Sequence, residues 1–305
     1  ATTLRAIVSS PPALLGSAFL NGLFMSFWAV SLPPAVAGLT NQRNRALGFS
    51  LITSFGIGIG AVAALLGGYL PALLMHVGPS LGALGSKRMA LLAGSALAAL
   101  AAIPATRLAF PAMKQPDAGR KIYPSSRFVY AFLAATFVWS IGAGGFNPFF
   151  NVYFSRHLHL PVERIGYIVS YAQSAQVFVI LLAPLVVRRI GEVRSVVSMQ
   201  LATAAMLALL GLVSSPAFAT AAYIAYMCFQ YMSEPCLFSM LMTRVAPSEQ
   251  TGASALNFLI TSLAGIFAAI AAGRLFTSAG YGPALAASGA AMVMSAGLFY
   301  ALVRR

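Results

Sequence analysis

Glu234 is an acidic side chain inside an apolar stretch that runs over Phe218–Met242. Burying a carboxylate in such a stretch costs several kcal/mol unless the group is protonated or paired. Gln230 and Tyr231 precede it and make this part of the stretch its most polar. The pattern predicts a group that handles a proton or a polar substrate. The alternative is a protonated acid that holds a contact between helices beside the break at Pro235.

Two asparagines flank a proline at the end of another apolar stretch, Phe128–Phe150. Asn147 and Asn151 are four residues apart and would share one face of a helix. Pro148 interrupts that helix, and a broken apolar helix is tolerated where it is buried in protein or lines a cavity. We interpret the asparagine face as the wall of a polar pathway; the alternative is packing by hydrogen bonds between helices. The glycine-rich run over residues 142–145 predicts close helix packing.

A polar stripe follows in the next apolar stretch. Tyr167, Ser170, Tyr171 and Ser174 have helical spacing, and Gln173 lies beside them. Polar side chains find no hydrogen-bond partners in lipid, so this face is predicted to contact protein or water. Lining of a pathway and hydrogen-bonded packing both remain open.

Asn21 and Trp28 are further candidates, in the first apolar stretch. They are seven residues apart and share a helix face. The Trp28 ring could stack on a ligand, and the alternative is that it packs against other helices.

The sequence lacks the spacings that enzymes and metal sites use. Cys228 and Cys236 lie eight residues apart in one apolar stretch and are read as packed small side chains. His157 and His159 form a pair without a third metal ligand nearby. No Ser/His/Asp set and no phosphate-binding loop is present. We therefore predict no metal, no cofactor and no enzymatic activity.

Composition defines the broad class of protein. Of the 305 residues, 59% are hydrophobic and 8% charged, whereas soluble domains carry about 25% charged residues. The chain is therefore predicted to be all-α and to cross the lipid bilayer several times, because a backbone in lipid must satisfy its own hydrogen bonds. The net charge of +14 is spread over many loops rather than one face, which excludes nucleic acid as a partner.

About nine transmembrane helices are predicted, each from an apolar run of roughly 20 residues. They cover Leu14–Val36, Gly48–Met75, Arg88–Ala105, Phe128–Phe150, Ile165–Val187, Ser195–Val213, Phe218–Met242, Ala253–Leu275 and Pro283–Val303. A cytoplasmic C-terminus places thirteen of the nineteen Lys and Arg residues on the inner side, as the positive-inside rule requires. Residues 107–127 form a basic linker between two groups of helices.

A repeat links the two groups. Residues 51–54 read Leu-Ile-Thr-Ser, and residues 259–262 repeat this tetrapeptide. Because the second predicted helix repeats at the eighth, the repeating unit has six helices. Two such units need twelve helices, so we expect three helices to be missing before residue 1.

The loop after the fifth predicted helix completes the pattern. Arg189, Gly191 and Arg194 match a cytoplasmic loop signature, whereas Pro184 stands where Gly is usual and Arg188 stands where Asp is usual. With the six-helix repeat and the basic linker, the chain resembles the major facilitator superfamily. The resemblance implies a gating role for this loop, including Arg188, through contacts with helix ends.

The resemblance also implies a domain organisation. Residues 1–106 would be a partial bundle like family helices 4–6, followed by the linker 107–127. Residues 128–305 would be a complete bundle like family helices 7–12. The helix of Glu234 would then face the central cavity of the family.

The function implied is secondary active transport of a small molecule by alternating access, coupled to protons in symport or antiport. The expected form is a monomer in the bacterial cytoplasmic membrane. Two alternatives stay open: an inactive scaffold or sensor derived from a transporter, and a multi-pass membrane transferase.

Overall fold

The computed structural model describes residues 2–77, 82–107 and 123–303, and no strand occurs among them. Nine long helices cover most of these residues. They are α1 (Pro11–Leu39), α2 (Arg45–Val77), α3 (Gly82–Leu100), α4 (Arg127–Phe146), α5 (Val162–Ile190), α6 (Glu192–Leu212), α7 (Pro216–Arg244), α8 (Gln250–Ser278) and α9 (Tyr281–Leu298). A short helical segment at Thr2–Ile7 precedes α1, and another at Ala102–Ala105 follows α3. The prediction of an all-α fold is confirmed.

Length and composition allow eight of these described helices to cross a membrane. The long helix outside that set is α7. Its polar side chains, Gln230 and Glu234 among them, lower its hydropathy. The multi-span character predicted from the sequence is therefore confirmed, and α7 is the helix in which polar groups replace apolar ones.

The chain breaks after α4 at the place where Pro148 was expected to interrupt it. A 3-10 turn over Asn147–Phe149, one helical turn over Phe150–Val152 and a wider turn over Tyr153–His157 follow. Proline lacks an N–H group and its ring collides with the carbonyl four residues earlier, which disfavours a regular helix at this point. The break expected at Pro235 does not occur, because α7 continues through that residue.

Contacts divide the chain into two units. One contains Ala1–Ala29 with Ile59–Asp117, and the other contains Val30–Gly58 with Ala118–Arg305. In the first unit, the Thr2–Ile7 segment packs on α3, and the Arg88 guanidinium donates to the Ser9 hydroxyl. Most of the predicted linker lies outside the described residues, so the division at residues 107–127 stays a prediction.

In the second unit, α4 to α9 form an ordered arc. Neighbours along it are α8, α4, α9, α6, α7 and α5 in turn. Helix α4 therefore packs between α8 and α9. Its glycines allow this, because a Cβ on Gly144 would lie 2.8 Å from the Gly265 Cα of α8. A Cβ on Gly142 would lie 2.8 Å from the Ser288 carbonyl oxygen of α9.

We expect Gly144→Ala to destabilise the second unit by about 1–3 kcal/mol, because backbone atoms of α8 cannot move aside as a flexible side chain would. The matched control is Gly297→Ala in α9, where a Cβ meets nothing within 4 Å. Alanine favours a helix over glycine, so the control should be neutral or slightly stabilising. Thermal unfolding in detergent measures both. Equal melting temperatures would show that the close approach of α4 and α8 is not required.

Candidate functional site

Three helices of the second unit line an open cavity of about 320 Å³. Each of them contributes a pair of polar residues four positions apart, which places both members of a pair on one helix face. The pairs are Thr136 and Ser140 on α4, Gln230 and Glu234 on α7, and Asn257 and Thr261 on α8. The Trp139 ring and the side chains of Phe132 and Phe238 supply aromatic surface. The cavity is thus polar at three points and apolar between them.

Close packing of α4 on α8 brings two of these pairs together. Gly144 and Gly265 meet backbone to backbone and also line the cavity. The glycine run therefore has a second consequence besides packing. It holds the Thr136 face of α4 near the Asn257 face of α8.

The hydroxyl groups of the cavity are held by their own helices. Thr136 donates to the Phe132 carbonyl at 3.0 Å, and Thr261 donates to the Asn257 carbonyl at 2.7 Å. Two amide oxygens are buried without a hydrogen-bond partner: Oε1 of Gln230 and Oδ1 of Asn257. A buried acceptor without a donor costs about 1–3 kcal/mol. Both oxygens are closed to solvent, so a donor from a bound molecule would reach them only after the side chain rotates.

The structure places the predicted residues of α7 in two environments. Gln230 and Glu234 line the cavity, Gln230 being buried and Glu234 half-buried. Tyr231 is half-buried and is not among the described lining residues. Of the polar residues predicted on this helix, Gln230 and Glu234 therefore lie at the cavity and Tyr231 does not.

Asn147 lies in a separate buried network. Tyr226, which is fully buried, donates its hydroxyl to Oδ1 of Asn147 at 2.8 Å. The Phe146 ring packs edge-on against Tyr226 with centroids 5.4 Å apart. Asn151 is exposed. The 3-10 turn over Asn147–Phe149 has about three residues per turn, so the α-helical spacing that put both asparagines on one face does not apply here.

We expect Asn147→Leu to destabilise the protein by about 1–3 kcal/mol, because it leaves the Tyr226 hydroxyl buried without an acceptor. Adding Tyr226→Phe should recover much of the loss, since both polar partners are then gone. Asn151→Leu is the control and should change stability by less than about 0.5 kcal/mol. Unfolding in detergent measures all three. Equal losses for the Asn147 and Asn151 variants would contradict a packing role for the Asn147–Tyr226 pair.

Other predicted residues lie on exposed or half-buried surface. On α5, Tyr167, Tyr171 and Ser174 are exposed and Gln173 is half-buried; on α1, Asn21 is half-buried and Trp28 is exposed. None of the six is among the described residues that line the cavity. Their part in a pathway stays a prediction.

The predicted gating loop forms a tight turn between α5 and α6. Gly191 has φ +84°, a conformation that glycine adopts without strain, and it ends α5 where α6 begins. Arg188, Arg189 and Arg194 are exposed on either side of it. The gating role of the loop stays a prediction.

Arg45, at the start of α2, is a buried residue that the sequence reasoning missed. Its guanidinium donates to the Met242 carbonyl at 3.0 Å, to the Thr243 hydroxyl at 3.1 Å and to the Ala37 carbonyl at 3.2 Å. Met242 and Thr243 belong to the last turn of α7, where carbonyl groups lack helical partners. Arg45 therefore ties the start of α2 and the end of α1 to the end of α7.

Among the described residues, no group of three or more His, Cys, Asp or Glu side chains could hold a metal ion. Cys228 and Cys236 are both buried free thiols.

Long apolar helices around a partly polar cavity define a multi-span membrane protein. The sequence profile of the Major Facilitator Superfamily matches residues 1–269. The chain therefore belongs to this superfamily of membrane transporters. No curated protein matches the sequence.

Solved structures of transporters share the fold. The human organic anion transporter MFSD10 (TETRAN) superposes with a TM-score of 0.77 at 15% identity, over 98% of this chain and 73% of that one. A bacterial homologue of the iron transporter ferroportin, in an outward-facing state, gives 0.71 at 15% identity, over 99% and 77%. The fucose:proton symporter of E. coli gives 0.72 at 14% identity, over 98% and 80%.

Proposed function

We propose that this chain is a secondary active transporter that moves a small molecule by alternating access, coupled to protons. The observation that carries the proposal is the cavity between α4, α7 and α8, with the Glu234 carboxylate in its wall. Helix α7 has 29 residues, which is long enough to cross a bilayer despite its polar side chains. An ionisable residue within a membrane-spanning helix is expensive and typically marks a substrate or proton pathway. Transporter sites of this kind lie between helices near the middle of the bilayer.

The three similar structures are named for different substrates: an organic anion, iron, and fucose with protons. At 14–15% sequence identity the similarity shows a shared fold, so we assign none of these substrates to this chain. The proton in the proposal rests instead on Glu234, the acidic residue among the described lining residues. Symport and antiport are both compatible with one such carboxylate.

The proposed setting is the bacterial cytoplasmic membrane, with the C-terminus in the cytoplasm and the chain acting as a monomer. The excess of Lys and Arg in the segments on the C-terminal side of the bilayer supports the orientation. The exposed arginines beside Gly191 would then face the cytoplasm, where the gating role proposed for their loop requires them.

The test is proton movement in vesicles. The purified chain is reconstituted into liposomes that contain a pH-sensitive dye, and a panel of sugars, organic anions and organic cations is added outside. We expect at least one compound to drive a proton flux that protein-free vesicles lack. If no compound does so across an imposed pH gradient, while the protein is folded by its melting curve, the scaffold alternative replaces transport.

A further inference from the structure

Several hydrogen-bonding groups of the cavity present acceptor lone pairs, beside the donors of Ser140, of the Trp139 indole and of the two amide NH2 groups. Because Thr136 and Thr261 use their hydroxyl protons on carbonyls of their own helices, each presents lone pairs rather than a proton. The unpartnered amide oxygens of Gln230 and Asn257 are acceptors as well. The Glu234 carboxylate adds two further acceptor oxygens when it is ionised.

The charge of the cavity has the opposite sign to that of the chain. The sequence contains 19 Lys and Arg residues against five Asp and Glu. Yet no lysine, arginine or histidine is among the described residues that line the cavity, and Glu234 is an acid. An anion would therefore meet acceptor oxygens and a carboxylate, without a positive group to offset their repulsion.

The aromatic side chains of the cavity favour the same class of molecule. Trp139 lies on the wall formed by α4, one helical turn from Thr136 and next to Ser140. The faces of tryptophan and phenylalanine rings attract cations, by about 0.5–2 kcal/mol depending on exposure to water. Rings also cover the apolar part of a ligand.

We propose that the cavity binds an organic cation: a compound with an ammonium or amidinium group that donates hydrogen bonds, attached to an aromatic or other apolar body. The cationic group would donate to Glu234 and, once those side chains rotate toward the cavity, to the amide oxygens of Gln230 and Asn257. The body would lie against Trp139. This inference rests on the proposed function, because it names the substrate class of the same site.

Three probes of nearly equal shape separate charge from size: benzamidine, which is a cation at neutral pH, benzamide, which is neutral, and benzoate, which is an anion. The sequence has two tryptophans, so Trp28→Phe leaves Trp139 as the remaining fluorescent indole. Its emission is followed while each probe is added to the purified full chain in detergent. Equilibrium dialysis of radiolabelled benzamidine against the unmodified chain provides a reading that needs no tryptophan change.

We expect benzamidine to bind saturably with an affinity at least tenfold higher than that of benzamide, and benzoate to bind more weakly still. Glu234→Gln should reduce the preference for benzamidine over benzamide by tenfold or more. Asn257→Leu, which keeps the carboxylate and removes one acceptor, should weaken benzamidine binding several-fold. A melting curve for each variant separates loss of binding from loss of fold.

Benzoate that binds as well as benzamidine would overturn the inference, as would a preference that survives Glu234→Gln. Absence of saturable benzamidine binding at millimolar concentration would also overturn it. The proposed function fails separately. If benzamidine binds in detergent but no compound drives proton flux in vesicles, transport is refuted and the ligand class stands. If sugars or organic anions drive flux and benzamidine does not bind, transport stands and the ligand class is refuted.

Discussion

Glu234→Gln is expected to reduce compound-driven proton flux in vesicles to the level of protein-free vesicles. Glutamine has nearly the shape of glutamate and can hydrogen-bond, but it cannot take up and release a proton at physiological pH. If Glu234 carries the coupled proton across the cavity, its loss removes coupling and leaves the fold intact. The flux is read from the pH-sensitive dye inside the vesicles.

The matched control for this prediction is Glu249→Gln. Glu249 is half-buried in the turn Pro247–Glu249 that precedes α8, and it is not among the described residues of the cavity. Its variant should transport at the rate of the unmodified chain. Full flux in Glu234→Gln, or equal losses in the two variants, would remove Glu234 from the proton pathway.

Arg45→Leu is expected to lower stability by about 2–4 kcal/mol, which corresponds to a melting temperature lower by roughly 5–10 °C. The substitution removes a buried cation together with its bonds to Ala37, Met242 and Thr243. The Met242 carbonyl keeps one partner, because the Gln250 side-chain amide donates to it at 2.7 Å. The loss of stability is therefore smaller than if this carbonyl lost every partner. Thermal unfolding in detergent measures it.

Two further variants sharpen the test of Arg45. Arg43→Leu removes an exposed arginine from the same loop and should melt as the unmodified chain does. Arg45→Lys keeps the positive charge, but its ammonium group lacks the planar fork with which the guanidinium contacts three acceptors. Its melting temperature should therefore lie between those of Arg45→Leu and Arg43→Leu. An Arg45→Leu protein as stable as Arg43→Leu would show that the guanidinium does not hold α1, α2 and α7 together.

The positions of the helices follow from the sequence, because in a bilayer the apolar length needed to cross it is fixed. Each of the nine predicted spans overlaps one long helix among the described residues. The structure extends most of them by several residues, as in α1, which covers Pro11–Leu39 where Leu14–Val36 was predicted. Proline alone did not determine where a helix breaks: the chain leaves the α-helix at Pro148, as predicted, whereas α7 continues through Pro235 against the prediction.

The candidate site was only partly predictable. Glu234 is visible in the sequence because a charge inside an apolar run is rare. Its partners on α4 and α8 are threonine, serine and asparagine, which occur in many membrane helices without a site. Their i,i+4 pairing was a usable signal, but which pairs converge depends on how α4, α7 and α8 pack, and that arrangement is tertiary.

Asn147 and Arg45 show two other limits of sequence reasoning. The interpretation of Asn147 assumed α-helical spacing across Pro148, where the backbone forms a tighter turn and directs the amide to Tyr226. Arg45 was counted as a loop charge that reports orientation. It bonds to the Met242 carbonyl and the Thr243 hydroxyl of α7, which lie about 200 residues away in the sequence.

The most direct test of the account asks whether the transported compound occupies the cavity. In a chain with Cys228 and Cys236 replaced by alanine, Ser140→Cys places one thiol on the cavity wall, and Phe218→Cys places one on the exposed start of α7. A small uncharged thiol reagent then measures access to each. A compound that drives proton flux, added at ten times its Kd, should slow modification at position 140 by about tenfold and leave position 218 unchanged. If both thiols react at their original rates while the compound is transported, the cavity between α4, α7 and α8 is not the transport site.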